Sequence, residues 1–438
     1  SLKDPLSGSV SRLYVSPNAV EQLKFISGGF NAEYGQAMSG IIDIDLKEGS
    51  KNWEGSLKYK RDNSPLYDGY NTDIAEFTLG GPEPITKHLL PGIGLDIPGE
   101  MYFFSSGYMN ISDTYLPHAD ELYPKESWMD KFAPRGNNRW SWMSKLTWKF
   151  DDRHKLILSQ NNSLNINQGF FSYRGFRDEY IHNLDNYLTV TRGTYVTNLI
   201  WKHTLSSKAF YNVKFGRFLT FEHADVQGKH WTEYNETLDL EPVEYSQINE
   251  EGDIRIKQGD EYWDAGDEPH WYDYSSDNLN IDVDFTYQPG NMHRFKAGLE
   301  TRFTDMQLID IYKPWIGTSG LGQSWDKYKV KPVNGSFYAQ DKITFEGMIV
   351  NAGLRYDYWF PGQYVEDAIN NEDIFTITEA GRNKFKEETF NLFGARGKGH
   401  LSPRLGISHP VTDQDVLYFN YGHFSQLPTY KFVYAKLT

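Results

Sequence analysis

The stretch His223–Ser275 concentrates side chains that can hold a ligand without covalent chemistry. Trp231, Tyr234, Tyr245, Tyr262, Trp263, Trp271, Tyr272 and Tyr274 stand there among many acids. Aromatic faces beside carboxylates suit sugars, peptides or cations. The plainer alternative is an outer lid that packs on itself and stays soluble by charge. Within the same stretch Asp260, Asp264, Asp267 and Glu268 are spaced closely enough to offer oxygens to calcium, although the EF-hand pattern is absent. The alternative for these four is a solvated acidic loop. His223, His230 and His270 are the histidines to weigh as zinc or haem ligands, against the bland reading of solvated loop histidines. The chain has no HExxH motif, no GxSxG elbow, no paired-carboxylate motif and no phosphate-binding glycine loop. Neither catalysis nor a cofactor is expected.

Composition narrows the setting in which such a stretch must sit. The 438 residues include 12 Trp, 30 Tyr and 27 Phe but no cysteine, and carry a formal charge of −15. Without cysteine there is no disulfide scaffold, thiolate metal site or Cys nucleophile. The negative charge would repel a phosphate backbone, so a nucleic-acid partner is not expected. No apolar run approaches the length of a membrane helix, which leaves a membrane β-barrel untouched, because its strands alternate. Abundant aromatics fit either the girdles of an outer-membrane barrel or the sugar platforms of a secreted β-protein. Ser1 is not an initiator methionine and no signal peptide is seen, so a processed or partial product is expected.

The elements that must position these residues are strands. Leu279, Ile281, Val283, Phe285 and Tyr287 alternate with Asn280, Asp282, Asp284, Thr286 and Gln288, which is the period of a pleated strand. The same alternation recurs around Phe295–Phe303, Trp140–Phe150 and Val350–Tyr358. It predicts about 13 strands, near 53–61, 73–80, 100–110, 138–150, 153–163, 186–203, 208–221, 277–288, 293–304, 333–345, 348–360, 401–410 and 415–424. Short connections such as Lys149–His154, Thr204–Lys208 and Gln288–His293 interleave with long ones at 164–185, 223–275, 305–331 and 361–400. Loops sorted by length to opposite ends match a transmembrane antiparallel β-barrel with tight periplasmic turns and extended outer loops. Bacterial single-chain barrels close on even strand numbers, so an odd count predicts a ring left open, and hence a part of a longer chain.

The first fifty residues read differently: a short helix after Pro17, a strand at Gln22–Ile26, a glycine turn, a helical turn through Ala32–Tyr34 and a strand at Ile41–Leu46. This βαβ-like piece suggests a small α/β unit inside the lumen. The run from Val20 to Phe25, Gly28-Gly29-Phe30-Asn31-Ala32-Glu33-Tyr34-Gly35 and Ser39-Gly40-Ile41-Ile42-Asp43-Ile44 resembles the end of the plug domain of TonB-dependent outer-membrane receptors. It is most similar to the Bacteroidetes-like branch that carries a carboxypeptidase-regulatory-like N-terminal domain. Gly353–Trp359 and Leu401–Pro428 agree with that family in the expected order. Where many members have Gly-Gly-Val-x-Asn-Ile, this chain has Ser39-Gly40-Ile41-Ile42-Asp43-Ile44.

The resemblance implies a plugged barrel of about 22 strands in the bacterial outer membrane. Residues 1–50 would be the C-terminal part of the plug and 51–438 a partial barrel. It further implies uptake of a scarce nutrient, driven by TonB and its inner-membrane energising complex at a contact site outside this chain. A glycan, peptide or other small molecule would be the ligand, with a surface lipoprotein lid as a possible further partner. Arg12 and Tyr14 would lie in plug loops able to rise to the ligand, beside Trp231, Tyr262, Trp263, Trp271 and Tyr272 of the outer loop. Arg355 and Arg404 should face the lumen, either steering ligand or pairing with plug carboxylates. Two rivals remain, a non-transporting surface barrel and a soluble glycan-binding β-protein.

Overall fold

The alternation closes into one antiparallel meander in the computed structural model, which describes residues 3–8, 13–26, 28, 30–35, 40–62, 69–113, 117–124, 127–168, 178–241, 244–247, 254–257, 259–260, 262–317, 320–345, 347–374, 376–412 and 415–435. At the N-terminal end, Val20–Ile26 (β1) follows a 3-10 turn at Pro17–Ala19 and pairs with Ile41–Leu46 (β2). The pairing is antiparallel, so this piece is a wide hairpin rather than a βαβ unit. Between the strands the expected turn is present, with the Tyr34 amide donating to the Asn31 carbonyl.

The wall begins with Glu54–Arg61 (β3), Asp73–Pro82 (β4), Glu100–Ser112 (β5), Asn137–Lys149 (β6), His154–Gln168 (β7), Thr189–Ser206 (β8) and Ala209–Asp225 (β9). A small separate hairpin, Glu244–Gln247 (β10) and Ile254–Lys257 (β11), interrupts it. The meander resumes with His270–Tyr287 (β12), His293–Tyr312 (β13), Val333–Phe345, Met348–Phe360, Ala395–Pro410 and Val416–Gly422. Ser324–Val330 (β14) folds back on β13, which makes Val333–Phe345 β15 and Met348–Phe360 β16. Phe390–Leu392 (β17) pairs with Ala395–Pro410 (β18), whose other neighbour in the meander is Val416–Gly422 (β19). Fifteen strands form the sheet, and all thirteen expected runs lie in it. Among the described residues no ladder joins the edge strands β3 and β19.

Strands exceed the sequence expectation at the long-loop end. β7 runs to Gln168, β12 starts at His270 and β13 continues to Tyr312, so parts of the expected loops 164–185, 223–275 and 305–331 are wall. The reason is that hydrogen-bonded pairing continues above the membrane, where the outward face no longer needs an unbroken apolar pattern. Region 361–400 holds two helices, Gln363–Asn370 and Glu379–Glu388. The guanidinium of Arg382 donates to the carbonyls of Ala368, Ile369 and Ile374, satisfying the C-terminal end of the first helix.

Register fixes two faces. Leu279, Val283 and Phe285 on β12 line up with Phe303, Leu299 and Ala297 on β13 and with Phe337 on β15, and this apolar face is the exposed one. From Leu279 to Tyr287 it spans ~27 Å along the strand, or about 20 Å of thickness once tilted, close to the apolar band of an outer-membrane barrel. Above it the outward positions turn polar, as in the Arg217–Asp277 ion pair at 2.6 Å. The opposite face carries Lys145, Lys155, Lys296, Arg355 and Arg404, covered by the N-terminal segment. A soluble sandwich would bury the apolar face; here it is the polar face that is covered. In the full-length protein, Val283→Arg at mid-band is therefore expected to destabilise folding into lipid vesicles by about 2–4 kcal/mol, and Ser275→Arg above the band by ~1 kcal/mol or less. Urea titration of vesicle-refolded variants checks both.

Candidate functional site

Inward-facing side chains of strands far apart in sequence converge on residues 4–48. Near the short-turn end Glu48 meets Lys155 at 2.7 Å and Lys145 at 3.1 Å, while Lys145 also donates to the Leu46 carbonyl. Burial alone would raise the Glu48 pKa, but the bonds and charges of Lys155 and Lys145 outweigh it and hold the carboxyl below its ordinary range. Midway, Glu33 pairs with Lys296, and the Glu33 amide donates to Gln340 Oε1. Ser16 hydrogen-bonds Glu76, and the Tyr14 amide donates to Ser163 Oγ.

Arg355 and Arg404 face the lumen as expected, but their partners differ. Arg355 donates to the backbone carbonyls of Ala32 and Glu33 at 3.2 and 3.3 Å, and its Nε bonds its own strand neighbour Asp357 at 2.8 Å. Arg404 donates to the Phe30 and His423 carbonyls and lies 3.8 Å over the Phe424 ring, which meets Phe30 edge-on. Main-chain carbonyls of residues 30–33, rather than segment carboxylates, take both guanidinium groups. Two glycines make this approach possible. A Cβ at Gly35 would fall 2.1 Å from the Arg355 guanidinium, and one at Gly353 would fall 2.8 Å from the Ala32 Cβ. A cavity of about 210 Å³ remains beside this contact, lined among others by Ala32, Gln340, Gly353, Arg404 and Phe424.

At the outer mouth the sequence-derived candidates divide by strand parity. Tyr14 stacks on Tyr108 at 4.2 Å with Arg139 over its ring, and burial, first, then its bond to Tyr108 push its phenol up to about 12. Tyr272 is on the inward face of β12, where Tyr274 bonds Asp4 and Leu6 packs with Met306, Val365, Ile369, Tyr430 and Tyr434. Trp271, one residue earlier and of outward parity, belongs to a second cluster with Tyr180, Leu188, Val190, Val226, Tyr234 and Ile311, against which Tyr272 also packs. Trp231 meets Trp271 at 4.7 Å and donates to the Gly320 carbonyl; Trp263 packs on the same cluster and donates to Glu179. Tyr262 is at its margin, edge-on to His182. Trp231, Trp263 and Trp271 thus build the core of the outer loops, and Tyr272 packs against that core as well, while Tyr14 stacks on Tyr108. Arg12 lies outside the described residues.

The four acids proposed for calcium are also kept apart. Asp267 takes Lys229 Nζ at 2.6 Å and the Asn235 amide, Asp264 takes the Leu240 amide, Asp260 the Tyr262 amide and Glu268 the His270 amide. Each carboxylate caps a different turn of the loop, and among the described residues no group of three or more acids and histidines could hold a metal. His223 spends both ring nitrogens on Asp273 and Asp225, at 3.0 and 2.8 Å, and His230 caps the turn at Trp231. Tyr234 ties the loop together by accepting from the Val226 amide and donating to the His270 carbonyl, and burial holds its phenol well above the ordinary value.

Of the residues that fasten the segment, Arg355 and Arg404 were singled out from the sequence and the others were not. Lys296 and Lys145 were visible only as polar positions in an alternating strand, and Glu33 and Glu48 only as acids in a glycine-rich stretch. The available signal was a basic residue on the lumen-facing parity of a strand with no acid directly opposite it.

An open wall of outward-apolar strands around a polar-mounted segment defines an outer-membrane barrel with an internal unit. The family profile "TonB dependent receptor-like, beta-barrel" matches residues 102–436. The chain belongs to that family, and its place is the bacterial outer membrane. Among solved structures it is similar to the FrpB iron transporter from Neisseria meningitidis, at TM-score 0.59 and 12% identity over 98% of this chain and 56% of that one. It is also similar to the copper transporter OprC, at TM-score 0.54 and 11% identity over 98% and 55%. The alcaligin receptor FauA from Bordetella pertussis matches at TM-score 0.54 and 10% identity over 94% and 51%. The chain therefore spans about half the length of the structures it matches. No curated protein sequence shows significant similarity to it.

Arg355→Ala removes the donors to the Ala32 and Glu33 carbonyls. Hydrogen exchange of residues 30–35 should accelerate by about tenfold or more, one such bond being worth about 1.5–3 kcal/mol, while strands β15 and β16 keep their protection. Glu48, with its pKa depressed, contributes stability above the ordinary carboxylate range that is lost as pH falls through its folded pKa. Protection of residues 46–48 should decline on acidification below that range, and less so in Glu48→Gln.

Proposed function

We propose that this chain is the central part of a TonB-dependent transporter, with residues 1–50 as the C-terminal part of a plug and 51–438 as part of the surrounding barrel. The transporter binds a scarce nutrient at the outer mouth and passes it to the periplasm when TonB and its inner-membrane energising complex pull on the plug. The observation that carries this reading is the mount of residues 30–33, held by Arg355, Arg404 and Lys296 through charge-assisted polar bonds beside a single aromatic contact, Phe30 on Phe424. Such bonds exchange with water at modest net cost, which suits a unit that must leave its seat and return.

The iron, copper and siderophore names of the structural neighbours make ferric chelates and copper the first probes. Tyr14 and Tyr272 are the ligand-contact candidates on the inward face, and a surface lipoprotein remains a candidate lid. An energised transporter and a passive surface barrel differ in one measurable way. Ala32→Cys with Gly353→Cys places two thiols where a disulfide can form after a shift of about 1 Å. In the full-length receptor the oxidised pair should abolish uptake of a radiolabelled chelate that the receptor binds, reduction should restore it, and surface binding should stay unchanged. Uptake that persists in the oxidised form, or in cells lacking TonB, would sink the transporter reading.

A further inference from the structure

The connection 83–99 breaks the rule that sorts loops by length. It joins Pro82 of β4 to Glu100 of β5, at the end where the turns 150–153, 207–208 and 288–292 are tight. Its backbone is largely self-satisfied. Glu83 accepts from the amides of Ile85 and Thr86, and Ile93, Gly94 and Leu95 donate to the carbonyls of Leu90, Pro91 and Leu90. Its side chains are not covered. Ile85, Leu89, Ile93 and Leu95 are 53%, 65%, 71% and 56% exposed, the first three at the i, i+4, i+8 spacing of one helical face. A solvated lobe of this size would not expose four large aliphatic residues in so few positions.

Its placement says what covers them. The Pro98 carbonyl accepts from Trp148 Nε1 at 2.9 Å, and Trp148 points outward, on the same face as Leu146 and, across the ladders, Leu158, Leu199 and Phe215. Trp148 packs against Phe150, Trp53 meets Phe103 edge-on, and Trp201 and Tyr211 continue the aromatic row around the wall. The lobe therefore leaves the wall on its lipid side, level with the girdle where rings with one wet end sit. We propose that 83–99 is an interfacial foot whose apolar face, Ile85, Leu89 and Ile93, lies in the inner phospholipid leaflet of the outer membrane. Backbone groups paired within the lobe meet the condition for shallow insertion, and exposed Lys87 and Asp96 are left to the headgroups and water. The foot would fix the depth and tilt of the wall at the end where the segment is mounted.

These 438 residues contain no cysteine, so single nitroxide labels can be placed without background from this part of the chain. Lys87→Cys, Leu89→Cys, Ile93→Cys and Asp96→Cys are made in the full-length receptor and reconstituted in phosphatidylethanolamine–phosphatidylglycerol vesicles. All four positions lie outside the packing of the wall, and heat-dependent gel mobility verifies folding of each variant. The ratio of oxygen to nickel-chelate collision rates should be about fivefold or more higher at 89 and 93 than at 87 and 96. Equal ratios at all four sites would place the lobe in water and overturn the proposal. Spin–spin broadening at 89 and 93 that disappears on dilution with unlabelled receptor would assign the face to a second copy, and would overturn it equally.

Discussion

A strand that crosses hydrocarbon can leave no backbone amide unpaired, and its outward side chains must be apolar. Every other feature of this protein follows from that constraint. Because pleating alternates the faces, apolar outward positions force the intervening residues inward, and here those are Lys, Arg, Asp, Asn and Thr. An inward Arg355, 3% exposed, has no bulk water to solvate it, and a buried charge left unpaired costs about 3–5 kcal/mol. The lumen therefore needs a polar counterpart. The Ala32 and Glu33 carbonyls accept from Arg355, the Phe30 carbonyl just before the turn accepts from Arg404, and Glu33 offers a carboxylate to Lys296.

That counterpart is fastened at three heights by different physics. Glu48 with Lys145 and Lys155 is an ionic clamp near the short turns, and the turn carbonyls form a hydrogen-bonded mount midway. At the outer mouth Leu6 joins an apolar cluster with Tyr274, Met306, the helix at Gln363–Asn370 and the helical turn at Tyr430–Tyr434. Main-chain amides of Tyr430 and Lys431 donate to Pro5 and Leu6. Displacing residues 5–6 must therefore disturb structure beyond the wall, whereas displacing residues 30–33 exchanges polar partners with water and breaks the Phe30–Phe424 contact.

Much of the wall was legible because alternation is enforced residue by residue wherever one face meets lipid, as in Leu279–Tyr287. Legibility faded above the band: around Asp305–Tyr312 and His270–Ser276 the outward face is free to be polar, so paired strand looked like loop. The N-terminal unit was readable as a small strand–turn–strand piece, but not in its antiparallel pairing, since local pattern says nothing about which direction two separated strands share. The mount was hidden for another reason. A guanidinium that bonds main-chain carbonyls leaves no mark on the sequence of its partner, and Ala32 gives no hint that its carbonyl is an anchor. Only the small side chains that permit the approach, Gly35 and Gly353, record it.

In the outer loops the apolar core draws on both faces of the wall. Trp271 and Tyr272 are chain neighbours of opposite parity, yet both pack in the cluster of Val190, Tyr234 and Ile311, Val190 sharing the face of Tyr272 through Ala224. Composition weighed them equally, but strand register does not. The outward set, with Trp231, Trp263, the His223 clamp between Asp225 and Asp273 and the Lys229–Asp267 pair, is consumed in holding long loops upright without disulfides. The inward set comprises Tyr272 and Tyr274, the Arg192–Glu222 pair and Tyr14 on its tyrosine stack, with Tyr274 also committed to Asp4 and the apolar cluster around Leu6. The ligand contact we propose at Tyr272 would therefore lie one step out of phase with Trp271, one of the residues that make the aromatic loop conspicuous.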